Sequence, residues 1–417
     1  MDSEIKQRIE MVRRGEVPEG YKKIQRDIIP KDWTIKSLAE VGNNFSYGMN
    51  AAAKAYDGHN KYIRITDIDD NTHIYTGLDL VSPHADLELK YRVQENDILF
   101  ARTGATVGKT YLYNKNDGIL FFAGFLIRVN IPIDNSYYVY EQTLTGRYLN
   151  WIRIMSQRSG QPGINAQEYG TYSFPYCCVK EQQKIATILT TQDKVIELKE
   201  KRLAEKQRQK MYLMQQLLTG KKRLPGYWGE WNFPKAKEVF QSVTDKNHKG
   251  DLMVLSATQD KGIMPRDEVD IDIKYEVSSL ANYKKVCQGN FVISLRSFQG
   301  GIEYSAYTGL VSPAYTVLSS KKELCDEYYK QYFKSADFIN RLNVAVYGIR
   351  DGKQISFEEF GRLRIPYPPI NEQSAIAQVL STADREISLL RQDIEQEKQK
   401  KKALMQLLLT GIVRVNV

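Results

Sequence analysis

A chain of 417 residues is long enough for two or three domains, each burying its own core. With 42% hydrophobic and 26% charged residues the composition is that of an ordinary globular protein, and no apolar run approaches the ~20 residues that carry a helix across a bilayer. The net charge of +9, from 59 Lys+Arg against 50 Asp+Glu, favours polyanionic partners, because neutralising phosphates releases condensed counterions.

The opening stretch, residues 1–21, is read as an N-terminal helix. It is charged throughout and lacks the apolar core of a secretory signal, so a cytoplasmic protein with no membrane partner is expected. Met11-Val12-Arg13-Arg14-Gly15 and Pro18-Glu19-Gly20-Tyr21 echo Leu217-Leu218-Thr219-Gly220 and Pro225-Gly226-Tyr227 far downstream. The chain thus begins as if with the end of a later helix.

Residues 22–180 are rich in Tyr, β-branched residues and turn signals, which predicts mixed strands and short helices. Within them Asp97-Ile98-Leu99-Phe100 reads as a strand running into Arg102-Thr103-Gly104. The following Gly104-Ala105-Thr106-Val107-Gly108-Lys109-Thr110 looks like a phosphate-binding loop, but three residues separate its glycines where the cradle needs four. A glycine-rich loop presenting Arg102 and Lys109 to DNA is the better reading. Cys177 and Cys178 are adjacent and Cys287 and Cys325 isolated, with no C-x-x-C spacing, so neither a metal site nor a disulfide framework is expected.

Residues 181–222 predict one long helix. Its stripe runs Ile185, Leu189, Gln192, Ile196, Lys199 and Leu203, then Lys206 and Lys210, then Leu213 and Leu217. Steps of three and four make a coiled-coil seam, and polar residues within a seam weaken it while fixing register. This helix carries ten Lys/Arg against five Asp/Glu. Residues 223–371 return to a mixed composition. Val286 and Asn290-Phe291-Val292-Ile293 parallel Val93 and Asp97-Ile98-Leu99-Phe100, Trp231 parallels Trp33, and a second arginine and glycine turn follows in Arg296-Ser297-Phe298-Gln299-Gly300-Gly301. Asp272-Ile273-Lys274 could be half of a nuclease pair, but lacks an upstream carboxylate cluster and reads as a strand edge. Tyr367-Pro368-Pro369 lacks the leading acceptor of an amino-methyltransferase motif and reads as a strand-to-helix connector. His59, His73, His84 and His248 are scattered, so no catalytic centre is expected.

Residues 372–417 predict a second long helix, with Asn371 as its N-cap and the stripe Ile376, Leu380, Ala383, Ile387, Leu390, Ile394, Leu404 and Leu408. It repeats the first. Residues 181–220 and 372–411 align without a gap at an offset of 191, with 17 of 40 positions identical. The match extends upstream, where Phe174-Pro175-Tyr176 meets Ile365-Pro366-Tyr367 and Gly170 meets Gly361. Gly220 and Gly411 are expected to stop both helices in the left-handed conformation. At ~1.5 Å per residue each helix is about 60 Å long, and a narrow seam of that length needs a partner, for which its own duplicate is the nearest candidate. One scaffold built twice, with conserved helices and diverged globular faces, suits a protein that reads two unlike targets at a fixed separation.

Glu181-Gln182 with Ile185, Glu372-Gln373 with Ile376, the two Leu-Leu-Thr-Gly ends, Gly301-Ile302, Gly309-Leu310-Val311-Ser312-Pro313-Ala314-Tyr315 and Pro18 with Gly20-Tyr21 carry a family likeness. Over nearly its full length the chain resembles the specificity (S) subunits of type I restriction–modification enzymes. It departs from the family in Cys177-Cys178, where a proline often precedes the helix. The resemblance implies an α+β fold of two mixed α/β target recognition domains, 22–180 and 223–371, separated by two long antiparallel coiled-coil helices in an internal pseudo-two-fold repeat. It further implies no catalysis in this chain, a bipartite double-stranded DNA target, and recruitment of two methyltransferase subunits and, through them, restriction subunits. S-adenosylmethionine, ATP and Mg would then belong to those partners, and this chain would hold no cofactor or metal. Half-sites about 34–36 Å apart lie on one face of B-DNA, so a rigid spacer can address both. Base readout needs polar side chains in a groove, while phosphate contacts only position the protein. Candidates in loops after strands are Tyr47, Lys54, Arg64, Thr66, Asp67, Arg102, Thr103 and Lys109 in the first half, and Ser256, Gln259, Arg296 and Gln299 in the second. The alternative is a non-catalytic coiled-coil assembly protein that binds DNA or partners without reading sequence.

Overall fold

In the computed structural model residues 3–157, 160–258, 261–269, 277–295, 297–345 and 355–416 are described. Asp272-Ile273-Lys274, Gln259 and Arg296 lie outside them. The chain divides into two compact units, one of residues 1–198 with 394–417 and one of residues 199–393. Each long helix contributes its start to one unit and its end to the other.

The helices span Val179–Leu217 and Ile370–Leu408, 39 residues each and again 191 apart. Both begin two residues earlier than the sequence suggests. Asn371 is therefore not the N-cap but lies in the first turn, where its side chain accepts from the Glu372 amide at 2.9 Å. The amide of Glu372 also donates to the Pro369 carbonyl, so the proline pair itself leads the chain into the helix. Both ends stop alike: Gly220 and Gly411 have φ of +73° and +72°, and the second residue after each glycine donates back to the last turn, Lys222 to Gln216 and Val413 to Leu407.

In the first unit a four-stranded antiparallel sheet has the order Asn43–Tyr47, Leu126–Asn130, Asp97–Ala101, Thr110–Leu112. Its Asp97–Ala101 strand is buried on both faces. Successive side chains point oppositely, so Ile98 and Phe100 enter one core with Trp33, Tyr138, Ile185, Leu189 and Leu408, while Leu99 and Ala101 enter another with Ile63, Tyr111 and Phe122. The first of these cores is what fastens the globular part to the helices.

The second unit repeats the plan. Its sheet order is Phe240–Val243, Thr316–Ser320, Phe291–Ile293, Glu303–Tyr304. Phe291 and Ile293 pack with Leu218, Phe240, Tyr329, Ile376 and Leu380, and Val292 packs with Leu255 and Val317 on the other face. Even single hydrogen bonds recur at the same offset. Tyr138 Oη donates to the Pro175 carbonyl, and Tyr329 Oη to that of Pro366, both at 2.9 Å.

Inside each unit the two helices pair antiparallel, through polar seam residues as well as apolar ones. In the first unit Gln192 Nε2 donates to Glu397 Oε2 at 2.6 Å, and Lys401 joins Asp193 at 2.7 Å and the fully buried Glu141 at 2.9 Å. In the second, Lys199, Lys206 and Lys210 meet Asp393, Glu386 and Asp384 at 2.8, 2.7 and 2.5 Å. As one partner's number rises the other's falls. The lysines interrupting the apolar stripe are thus register pins, which a polar group in a seam is suited to be.

The Glu-Gln pair that opens each helix has a role in this packing. Glu181, only 1% exposed, accepts from Trp33 Nε1 at 3.0 Å and from Arg414 Nε at 2.7 Å. Glu372, fully buried, accepts from Trp231 Nε1 at 2.9 Å and from Arg223 Nε and Nη2 at 2.5 and 2.7 Å. Each arginine lies three residues beyond a stop glycine, so the end of one helix clasps the start of the other. Gln182 and Gln373 tie the same corner to the globular part, taking the amides of Asn135 and Cys325 at 2.9 Å. A helix N-terminus also favours the carboxylate there.

Candidate nucleic-acid interface

The strand Asp97–Ala101 delivers Arg102 at its end. The Arg102 amide donates to the Phe125 carbonyl at 3.0 Å, and its Nε to the Gly124 carbonyl at 2.9 Å. Its guanidinium lies over the Tyr47 ring, 4.9 Å from the centroid, a cation–π contact that holds the plane of the group. Tyr47 is 43% exposed and its hydroxyl accepts from the Ala166 amide at 3.2 Å. Arg102 is partly exposed, and among the described residues nothing bonds its Nη atoms, which leaves its two-pronged edge unengaged. Thr103 beside it bridges to Gly163. The structure brings Tyr47, Arg102 and Thr103 together.

The other first-half candidates are placed differently. Lys109 turns inward: its side chain is 9% exposed, and Nζ donates to the Ile68 carbonyl at 2.8 Å and pairs with Asp70. The loop expected to present both Arg102 and Lys109 therefore presents only the first, because Lys109 is spent tying the 65–70 segment to the sheet. Arg64 forms a fork with Asp67, Nε to Oδ2 at 2.9 Å and Nη2 to Oδ1 at 2.7 Å, and reaches Asp79 at 3.0 Å. The hydrogen bonds it donates to Asp67, and then to Asp79, hold its pKa above the usual arginine value. Asp67, 5% exposed, is the anchor of that fork. Thr66 and Lys54 are exposed, Lys54 on the Ala52–Ala55 strand.

In the second half Ser256 is buried and accepts from Arg266 Nε at 3.1 Å, so it supports the fold locally. Gln299 is exposed on the turn of helix Ser297–Gly300. The turn before each central strand is the same, with the Gln94 amide donating to Asp97 at 2.7 Å and that of Cys287 to Asn290 at 2.9 Å. Counting onward from Asp97 and Asn290, the counterpart of Arg102 is Leu295, which is 52% exposed. Sequence reading missed Leu295, having matched arginine to arginine and so slipped by one residue. It also missed Phe125, 58% exposed in the turn beside Arg102, because an aromatic within Leu120-Phe121-Phe122-Ala123-Gly124-Phe125-Leu126-Ile127 looks like a core residue.

His73 packs under the same sheet, with Nδ1 within 3.3 Å of the amide, carbonyl and hydroxyl of Thr110. Burial pushes its pKa below the usual value and the Lys109 charge adds to this, while the Thr110 backbone bond, Asp69 and Asp70 oppose it. The unfolded chain then binds the proton more readily. Stability should be fully present above the unfolded value of about 6.5 and fall as the pH drops through the window beneath it. Amide exchange of residues 69–75, corrected for intrinsic rates, is expected to speed up between about pH 7.5 and about pH 5.5. His73→Asn, which tolerates the positive φ, should remove that dependence; an unchanged dependence would assign it to another group.

Among the described residues no helix is long and apolar enough to cross a membrane. A family model described as the type I restriction modification DNA specificity domain matches residues 30–206 and 229–399. Two proteins of Methanocaldococcus jannaschii, named as the MjaX and MjaVIII type I restriction enzyme specificity subunits, are each 24% identical, covering 95% of this chain and 97% and 96% of their own lengths. Among solved structures, a chain from a study of assembly and conformational transition of the type I R-M system aligns over 92% of this chain and 99% of its own, with TM-score 0.59 and 15% identity. The S subunit of a type I system from M. genitalium aligns over 93% and 98%, with TM-score 0.54 and 13% identity. At these identities the structural likeness speaks for the fold.

Proposed function

The chain belongs to the family of type I restriction–modification DNA specificity subunits, and from that premise we propose how its two halves divide the reading of DNA. As a specificity subunit it reads target DNA and assembles with methyltransferase and restriction subunits, and is not itself a catalyst. In the proposed division residues 22–180 and 223–371 are the two target recognition domains, each reading one half of a bipartite double-stranded target. The helical regions 181–222 and 372–417 hold the spacing and receive two methyltransferase subunits, which in turn bring the restriction subunits. S-adenosylmethionine, ATP and Mg act in those partners.

One observation supports this reading above the rest. Two sheets of identical strand order end their central strands in unlike side chains, an arginine stacked on tyrosine in one and a leucine in the other. Arginine to guanine O6 and N7 is the commonest specific contact in the major groove. We therefore place Arg102, carried by Tyr47 and flanked by Thr103, at a base edge, with Lys54, Thr66 and Gln299 as outer contacts. Asp67, Lys109 and Ser256 act by shaping the loops, and Arg64 by bracing Asp67 against Asp79.

The test is selection of a random duplex library by the complex of this chain with its methyltransferase subunits. A consensus of two short blocks across a fixed gap is expected. Binding without consensus, governed only by salt, would instead favour an assembly protein.

A further inference from the structure

Single exposed apolar side chains are common on any protein and need no explanation. Phe125 differs in how it is held. The turn 123–126 closes with the Leu126 amide donating to the Ala123 carbonyl at 2.9 Å, and four further hydrogen bonds grip it from both sides. Gly48 donates to Leu126 at 3.1 Å and Gly124 to Met49 at 2.8 Å, while Arg102 takes the carbonyls of Phe125 and Gly124. Packing there is so close that a Cβ on Gly48 would stand 2.2 Å from the Ala123 oxygen, so only glycine fits. A fixed backbone thus holds a solvent-exposed phenyl ring next to a partly exposed arginine whose Nη atoms are unengaged. Holding the ring in place beforehand lowers the ordering cost of binding.

We propose that Phe125 is a specificity-determining residue that packs on the 5-methyl group of a thymine neighbouring the guanine taken by Arg102. The proposal rests on the reading of this strand end as the base-reading edge of the first recognition domain. The chemistry is complementary: the major groove shows guanine as a pair of acceptors and thymine as an acceptor with a methyl group, and phenylalanine has no polar atom to offer but matches the methyl. Arg102 and Phe125 are adjacent in space through the backbone pair, so the two bases should be neighbours in the target. The second domain carries Leu295 and Ala314 at the corresponding places and supplies an internal control.

The experiment uses the complex of the full chain with its methyltransferase subunits and the selected consensus duplex. Each thymine of the half-site read by the first domain is replaced singly by deoxyuridine, which removes one methyl and leaves pairing intact. At one thymine beside the guanine, binding by the unaltered protein should weaken roughly four-fold, the worth of one methyl group taken from water. Phe125→Ala should bind thymine and uracil duplexes equally, and Phe125→Leu should keep part of the discrimination. Neither variant should alter uracil sensitivity in the other half-site. Because the ring is exposed, the thermal transition of both variants should match the parent, and a variant that does not is set aside in favour of the other. Methyl sensitivity that persists in Phe125→Ala overturns the proposal, as does a first half-site without thymine. So does an equal loss on both duplexes, which would make the ring a wedge between base steps. If Arg102→Ala relaxes the half-site while Phe125→Ala changes nothing, only this proposal fails. If neither variant changes it, the placement of the reading edge fails with it.

Discussion

Replacing Arg223 by alanine is expected to cost the second unit about 3–5 kcal/mol, the usual consequence of stranding a buried charge. Glu372 is fully buried and its carboxylate is shared between Trp231 Nε1 and two nitrogens of Arg223, whose own side chain is 24% exposed. Without the guanidinium one neutral donor remains for a full negative charge. The loss comes from desolvation that is no longer offset, so it should be recoverable by removing the charge. The double variant Arg223→Met with Glu372→Gln keeps an acceptor for Trp231 and fills the same space, and should regain most of the stability. Urea unfolding followed through the second unit, with exchange at amides 372–376, measures both. A loss under about 1 kcal/mol, or no recovery in the double variant, would mean the clasp is a surface pair of little worth. The same logic applies to Arg414 and Glu181 in the first unit, where Arg414 also holds Asp32 at 2.8 Å and keeps that carboxyl below its ordinary pKa.

That clasp also shows what could be read from the sequence alone. Periodicity, the stop glycines and the 191-residue offset are local signals, and the helices were legible from them to within two residues at their starts. The Glu-Gln pairs were visible as motifs, but not their purpose, since Trp33, Arg414 and Glu181 are far apart in the chain and meet only on folding. The lysines in the seam could be read as weakening it while fixing register, but not which aspartates and glutamates they would meet. The sheets were legible as strands, but strand order was not, because three separate chain connections must close to build each four-stranded sheet. At the proposed DNA edge Arg102 does follow a strand, as expected, but the burial of Lys109, seven residues on, was not legible. Only packing distinguishes a partly exposed arginine with unengaged Nη atoms from a lysine bound to a carbonyl.

The packing makes Arg102 the residue whose removal should change recognition most sharply. Arg102→Ala is expected to weaken binding by about 1–3 kcal/mol at one base pair of one half-site, or roughly five- to 150-fold, and to relax the preference for guanine there. The other half-site should keep its full consensus, because the corresponding strand end carries Leu295 and belongs to the other unit. Arg102→Lys should not restore the preference. An ammonium is a point charge without the planar fork, and it would lose the contact with the Gly124 carbonyl that aims the group. Tyr47→Phe retains the ring beneath the guanidinium and should behave nearly as the parent, while Tyr47→Ala removes the platform and should lose part of the discrimination. Competition binding across single-base variants of the target, repeated at several salt concentrations, distinguishes readout from simple attraction. A base-reading arginine gives a loss confined to one position. If every sequence weakens alike and the salt slope falls by about one, Arg102 sits on a phosphate and the reading edge lies elsewhere on the domain.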